Sequence, residues 1–488
     1  MTVFTLFYIV ICLLNAHGFL HFDNNTFVEQ LPSDFFYAFA QPTPMPMPYL
    51  ISLNDELFDR LSAVPVDRQH MAEFLSGNQL LSGSRPVAMA YAGHQFGYFT
   101  PQLGDGRALL LGQIHQWAFH AKGTGPTKYS RGGDGRAVLR SSIREYLASE
   151  AMFHLGIDTS RALSLVGSIL TPVRRETIET AAVVVRVAPI AAFVRIGTFE
   201  LFSSRRQYEQ VRQLADFLLR NMPYDPVTST NPYSALLIDI TRRTANLVAQ
   251  WQAVGFTHGV LNTDNMNVAG STIDYGPFGF VEDQRRGYVP NHSDDEGRYA
   301  FDRQPSIAAW NLGKLRLTFD SLIEPDDPVR EQDEFWLSFN RTYDRLMREK
   351  LGLTFSVQSD RWIYEEILRL LDLHRIDHTR FWRRLGDGLV PDQIEKERWY
   401  TVYQQRLALE GSYAHKLRRE RMNRVNPKYI LRNYMAHVAI ERAQQGDFHE
   451  IDRLLRLLRR PYDEQPDMDA YAQPSPEWAK KLIISCSS

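Results

Sequence analysis

The sequence predicts an α+β fold of two lobes, a β-rich N-terminal lobe and a mainly helical C-terminal lobe. Three observations carry this. Residues 86–194 read as strands with one strong helix among them. Amphipathic helical periodicity takes over from residue 207. A Gly-punctuated patch at 260–280 interrupts the helices.

Taken in order, segment 20–60 carries Pro42, Pro44, Pro46 and Pro48 and is expected to be extended and irregular. Residues 107–113 and 116–122 read as two strands. Residues 136–155 read as a helix with Leu139, Ile143, Tyr146, Leu147 and Ala151 on one apolar face and Gly156 as its stop. The apolar run 181–187, broken by one arginine, reads as a buried strand. Residues 207–221 and 233–254 are amphipathic helices joined by a polar loop at 224–232, and helices dominate 305–460. This order is that of a protein-kinase-like bilobal fold. The expected division is an apolar stretch over 1–20, an N-terminal segment and N-lobe over 21–200, and a C-lobe with a helical extension and a cysteine-bearing tail over 201–488.

The 488 residues are 44% hydrophobic and 23% charged, which excludes a disordered chain. A net charge of -2, with no long basic run before 416–424, argues against nucleic acid as a partner. Two cysteines, Cys12 and Cys486, make neither a disulfide scaffold nor a zinc site. The apolar stretch 3–14 is too short to span a bilayer, and no firm membrane association is expected. It lacks the positive flank of a signal peptide, since the first arginine is Arg60, so a cytoplasmic protein is expected. The alternatives are export, favoured by the small-x-small pattern Ala16-His17-Gly18, or a true start near Leu20. Oligomeric state stays open.

Several residues carry chemistry. Gly104-Asp105-Gly106-Arg107 stands at a strand entrance, where glycines let backbone N–H groups approach phosphates; a plain turn is the competing account. Lys122 ends a strand on the face of His120 and Ala118, opposite Trp117 and Phe119, and a half-buried lysine needs an anionic partner. Kinases pair such a lysine with ATP phosphates and a helix glutamate, here Glu145. Asp134-Gly135 precedes the helix and is either a cap or a phosphate contact. Arg186 and Arg195 suit a polyphosphate or, for the buried one, a structural ion pair.

The strongest patch runs from His258 through Asp264-Asn265 to Asp274-Tyr275-Gly276. It matches a kinase catalytic loop followed by its metal-binding Asp-x-Gly. Asn265 and Asp274 are nine residues apart with Gly270 between them, so a tight hairpin would bring both to one Mg²⁺ or Mn²⁺. Val260 stands where a kinase places its aspartate base and can move no proton. Asp264 is the replacement candidate.

At these residues the chain resembles the selenoprotein O family, the YdiU-type proteins of bacteria. The resemblance runs from about Phe22 to the last residue. It rests on Tyr91-Ala92-Gly93-His94-Gln95-Phe96-Gly97, Gln102-Leu103-Gly104-Asp105-Gly106-Arg107, 132–145, Trp251-Gln252, the block 255–280, Asn291-His292-Ser293-Asp294 and Ser485-Cys486-Ser487-Ser488. It implies a kinase-like fold binding ATP in reverse, attack on the α-phosphate, and transfer of AMP, or of UMP from UTP, to Ser, Thr or Tyr hydroxyls of proteins. It implies nucleotide contacts from Gly104, Gly106, Arg107, Lys122, Asp134, Gly135, Arg186 and Arg195. Asp264 would be the proton acceptor, Asn265 and Asp274 the metal ligands, and Glu145 the partner of Lys122. The stretch between Arg186 and Arg195 is about two residues longer than in bacterial relatives. Cys486 takes the C-terminal redox position, while Pro290 stands where some bacterial members have a second cysteine. An ordinary phosphotransferase using Asp264, and a nucleotide-binding scaffold without turnover, are the rival readings.

Overall fold

A computed structural model describes residues 21–61, 67–175, 178–222, 231–324, 330–411 and 415–484. The 1–20 stretch with Cys12, most of the 224–232 loop and the Cys486 tail lie outside the described residues. The chain divides into two compact units. The first is Met1–Ala90, Leu103–Ser142 and Arg161–Ile190; the second is Tyr91–Gln102, Ile143–Ser160 and Ala191–Ser488.

In chain order the strands are β1 (Tyr37–Phe39), β2 (Tyr49–Leu53), β3 (Val87–Met89), β4 (Gly93–Gln95), β5 (Tyr98–Thr100), β6 (Ala108–Ile114), β7 (Trp117–Lys122), β8 (Ala137–Val138), β9 (Arg161–Arg174), β10 (Ile178–Pro189), β11 (Phe256–Thr257) and β12 (Gly279–Phe280). The first unit is built on an antiparallel sheet ordered β1-β3-β6-β7-β10-β9-β2, with β8 beside β10. Alternation explains its two faces. Leu109, Leu111, Phe119, Ala121, Val183, Val185 and Val187 enter one apolar cluster with Phe22 and Leu75. The register sets His120 opposite Arg186 and Lys122 opposite Val184, so Lys122, His120 and Arg186 share the other face.

Two expectations change here. Segment 20–60 is not irregular throughout: β1 pairs with β3, β2 pairs with β9, and short helices form at Thr26–Gln30 and Asp55–Leu61. Partners distant in sequence recruit those strands, while Pro42–Pro48 stay outside regular structure. The helix begins at Leu139, after β8, and is buried on more than one side, with Ser142, Glu145, Ser149 and Glu150 all buried. Its polar positions are therefore interior groups rather than a solvated face.

In the second unit, the helix Pro232–Val254 has clear local causes. Asn231 caps the N–H groups of Tyr233 and Ser234, Pro232 opens the first turn, and Gly255 ends it at φ +80°. It delivers the chain to β11, which pairs with β12 and brackets residues 258–278. A separate apolar cluster that includes Leu351, Trp382 and Trp399 organises the later helices. Among the described residues no helix is long and apolar enough to cross a membrane.

Candidate functional site

In the first unit, the Gly104–Arg107 turn is anchored from inside. Asp105 is buried, and its Oδ2 accepts from the Met89 N–H at 3.2 Å and pairs with His120 Nε2 at 3.0 Å. Arg186 Nη2 lies 2.7 Å from His120 Nδ1. A guanidinium only donates, so Nδ1 accepts and Nε2 carries the hydrogen that goes to Asp105. Through His120, the Arg186 guanidinium and the glycine turn hold one another in place. Gly104 sits at φ +142°, and a Cβ there would lie 2.4 Å from the Tyr129 ring, so no other residue fits. Thr127 Oγ1 donates to the Asp105 carbonyl at 2.7 Å, Gly123 N–H donates to the Arg107 carbonyl at 2.7 Å, and Gly125 N–H donates to the Gly135 carbonyl at 3.0 Å.

Asp134 is exposed and pairs with Arg175 at 2.9 Å, which holds its carboxyl below the usual range. It also accepts from the Arg136 N–H at 2.9 Å. The helix starts only at Leu139, so Asp134 closes a local turn instead of capping that helix.

In the second unit, His258 is buried and neutral. Its Nε2–H donates to the Ile273 carbonyl at 2.9 Å, its Nδ1 accepts from the Val260 N–H at 3.4 Å, and burial lowers its pKa. It thus ties the start of the loop to the residue before Asp274. Asp264 sits in a single turn of 3₁₀ helix, Thr263–Asn265. Its Oδ2 accepts from Gln95 Nε2 at 3.0 Å, while Oδ1 is buried with no hydrogen-bond partner. Burial pushes the carboxyl up to about 6, against the pull of Arg195. Asn265 donates its side-chain N–H to the Val260 carbonyl at 3.0 Å, which leaves its amide oxygen to ligate.

Asp274 adopts a left-handed backbone, φ +55°, rare for a residue with a side chain and typical of functional sites. Arg195 binds the Asp274 carboxylate, and its Nη1 also donates to the Asp264 carbonyl at 2.5 Å. Its guanidinium lies 4.8 Å from the Tyr91 ring centroid. Arg195 therefore ties together the two aspartates named from the sequence.

The expected tight hairpin between Asn265 and Asp274 is instead a loop closed by one side chain. Asn267 Oδ1 accepts from the N–H groups of Ala269 at 3.0 Å and Ser271 at 3.2 Å, and its Nδ2 donates to the Ser271 carbonyl at 2.8 Å. The backbone there pairs outward, Ile196 N–H to the Met266 carbonyl at 2.9 Å and Val268 N–H to the Val194 carbonyl at 3.0 Å.

Glu145 is buried in the second unit, and Lys122 lies in the first. Its neighbour Arg144, which the sequence did not single out, donates to the Gly276 carbonyl at 3.3 Å, the Phe278 carbonyl at 2.8 Å and Asn433 Oδ1 at 3.2 Å. Asp105, His120 and Gln95 were also missed as site residues. His120 had one signal, a polar residue on the face of Lys122; Gln95 had none beyond its motif.

The donors at Asn265 and Asp274 are oxygens, which suits a hard cation such as Mg²⁺ or Mn²⁺. The Oδ1 of Asp264 is buried against Gly93 without a hydrogen-bond partner, a polar atom left unsatisfied beside Asn265. Among the described residues no three His, Cys, Asp or Glu side chains gather as a metal cage. These residues therefore fit a cation that shares its shell with phosphate oxygens and water.

The sequence profile of the family described as protein adenylyltransferase SelO matches residues 18–459. A protein nucleotidyltransferase YdiU of Thioalkalivibrio sulfidiphilus is 45% identical over 93% of this chain and 96% of its own. Proteins of the same description from Myxococcus xanthus and Thiobacillus denitrificans are 45% and 46% identical, each over 96% of this chain and 99% of its own. Among solved structures, ROP2 from Toxoplasma gondii, described as a virulence factor with a protein-kinase fold and no enzymatic activity, is 14% identical. It covers 75% of this chain and 97% of that one, and its TM-score of 0.22 is too low to carry an argument. The chain belongs to the protein adenylyltransferase SelO family.

Proposed function

We propose that this chain transfers AMP from ATP, with UTP as an alternative donor of UMP, to Ser, Thr or Tyr hydroxyls of proteins. The observation that supports this best is Asp264, a buried carboxylate with one unpartnered oxygen, tied by Arg195 to Asp274 and next in sequence to Asn265. Val260, at the position of a kinase base, is inert. In this reading the nucleotide lies reversed relative to a kinase, so that its α-phosphate meets Asp264. Asp264 takes the proton of the acceptor hydroxyl, the hydroxyl oxygen bonds to the α-phosphorus, and the bond from that phosphorus to the bridging oxygen breaks. Pyrophosphate leaves.

Gly104, Gly106, Arg107, Lys122, Asp134, Gly135, Arg186 and Arg195 hold the nucleotide, with the two arginines offsetting charge on the leaving pyrophosphate. Glu145 orients Lys122 as in kinases. Asn265 and Asp274 would hold Mg²⁺ or Mn²⁺, which offsets the charge of the phosphates. A cytoplasmic location, where ATP is abundant, goes with this reading.

Incubation with Mg²⁺ or Mn²⁺ and ATP labelled at either the α- or the γ-phosphate tests it. Label on protein from α alone is the expected result. Label from γ alone would make the chain a phosphotransferase, and label from neither, with ATP or UTP, would leave a binding scaffold.

A further inference from the structure

The hairpin β4–β5 is built onto the loop that carries Asp264. Its turn, Phe96-Gly97, has both residues at positive φ, +51° and +90°, the geometry of a two-residue hairpin turn. A phenylalanine at positive φ is strained, and this one is held by its surroundings. Its N–H donates to Asn262 Oδ1 at 3.2 Å and to Tyr299 Oη at 2.8 Å, and its ring packs 5.2 Å from that of Tyr299.

Every second N–H of the first strand and its approach is bound in this way. Ala92 N–H donates to the Gly197 carbonyl at 2.9 Å, and His94 N–H donates to Thr263 Oγ1 at 2.7 Å. The His94 ring and the Thr263 hydroxyl both bind Glu200, each at 2.5 Å, which braces the hairpin a second time. Gly93 passes so close that a Cβ would lie 2.5 Å from Asp264 Oδ1. Gln95, at the end of β4, then donates its side-chain N–H to Asp264 Oδ2 at 3.0 Å.

We propose that Gln95 is a positioning residue for the transfer step: by holding Oδ2, while Gly93 packs against Oδ1, it fixes the orientation in which the Asp264 carboxylate meets the acceptor hydroxyl. The inference rests on the reading of Asp264 as the proton acceptor. A carboxylate free to rotate would present either oxygen, in many orientations. One fixed by a donor on a rigid hairpin presents a single lone-pair direction, and such orientation is worth much of a proton-transfer step. The hydroxyl proton passes to the Asp264 carboxylate, the acceptor oxygen bonds to the α-phosphorus, and pyrophosphate carries away the electrons of the broken bond. Gln95 touches neither reactant and acts through Asp264.

The test compares the wild-type chain with Gln95→Leu and Gln95→Met. The second variant keeps the side chain's length and lacks the amide donor, so a folding defect in the first does not end the test. AMP transfer from α-labelled ATP is followed to casein and to the chain itself. Hydroxylamine-dependent pyrophosphate release is measured in parallel, because hydroxylamine attacks at neutral pH without first losing a proton. Asp264→Asn serves as the reference. Both Gln95 variants are expected to lose about 10- to 100-fold in kcat toward protein, a share of the roughly 10²–10⁴ that general-base help supplies. The KM for ATP and the hydroxylamine rate should stay within about 3-fold of wild type, the signature of a lost transition-state interaction. Unchanged kcat in both variants, equal losses with both acceptors, or a rise in KM alone would overturn the role of Gln95. An Asp264→Asn variant that behaves as wild type would overturn Asp264 as the proton acceptor and the inference with it, and absence of α-label from both ATP and UTP with the wild type would overturn the function itself.

Discussion

The two oxygens of Asp264 live in different surroundings, one accepting from Gln95 and the other buried without a partner. That asymmetry gives the residue-scale predictions their direction. Asp264→Ala should lower kcat by about 10²–10⁴-fold while nucleotide binding changes little, because base help acts in the transition state. An equal loss of binding, measured by titration with a non-hydrolysable analogue, would remove the base from the mechanism. Lys122→Ala and Asp274→Ala should abolish transfer; the first should leave the thermal transition intact, since Lys122 is only partly buried, while the second should lower it, since it takes the carboxylate from the buried Arg195. Near-normal turnover in either would overturn the site. Asp264, Asn265 and Asp274 were readable because they sit close together in a patterned block. Gln95 was not, because it meets Asp264 across 169 residues of chain and nothing local marks the meeting. His120 could be placed on the face of Lys122 by alternation, but its bonds to Asp105 and Arg186 depend on how three strands and a turn come together.

Elements whose cause is local were legible. Strands β6 and β7 lie within one residue of their expected ends, and the helix Pro232–Val254 carries its own cap, its own proline and its own terminal glycine. Strand β9 was not read, because Gly167 and Pro172 break its pattern; pairing with both β10 and β2 makes it a strand. The helix Leu139–His154 shows what an element does beyond its own period. Its Arg144 satisfies two carbonyls of the segment that follows Asp274, and its guanidinium lies 4.3 Å from the Phe278 ring centroid. Replacing Arg144 by leucine should cost roughly 1.5–3 kcal/mol or more, the scale for bonds to a charged group, since it leaves the Phe278 carbonyl without its donor. Denaturant unfolding measures that loss. Transfer should fall further than stability predicts, because Gly276 lies two residues after Asp274. A variant with wild-type melting and wild-type turnover would show that the clamp is dispensable.

For the molecule as a whole, the buried Lys350 makes stability depend on pH. It ends the helix Glu331–Lys350 inside the second unit, with its Nζ 5.1 Å from the Trp382 ring centroid. Burial pushes its pKa down from 10.5 to about 7. Between these values the unfolded chain holds a proton that the folded chain has released, so stability rises with pH from about 7 to 10.5. Lys350→Met should raise the melting temperature at pH 7 and flatten that slope, each pKa unit being worth about 1.4 kcal/mol. An unchanged slope would mean that Lys350 stays solvated. The sequence by itself determined the class of fold, the loop of Asp264, Asn265 and Asp274, and the family, because these rest on periodicity and on residues close together in the chain. The tertiary structure alone decided which partners those residues have: Gln95 on Asp264, Arg195 across Asp264 and Asp274, His120 between Asp105 and Arg186, and the grouping of Tyr91–Gln102 with the second unit. The physical reason is that hydrogen bonds and close packing act over a few ångströms of space, whatever the separation along the chain, and local sequence pattern records only the near neighbours.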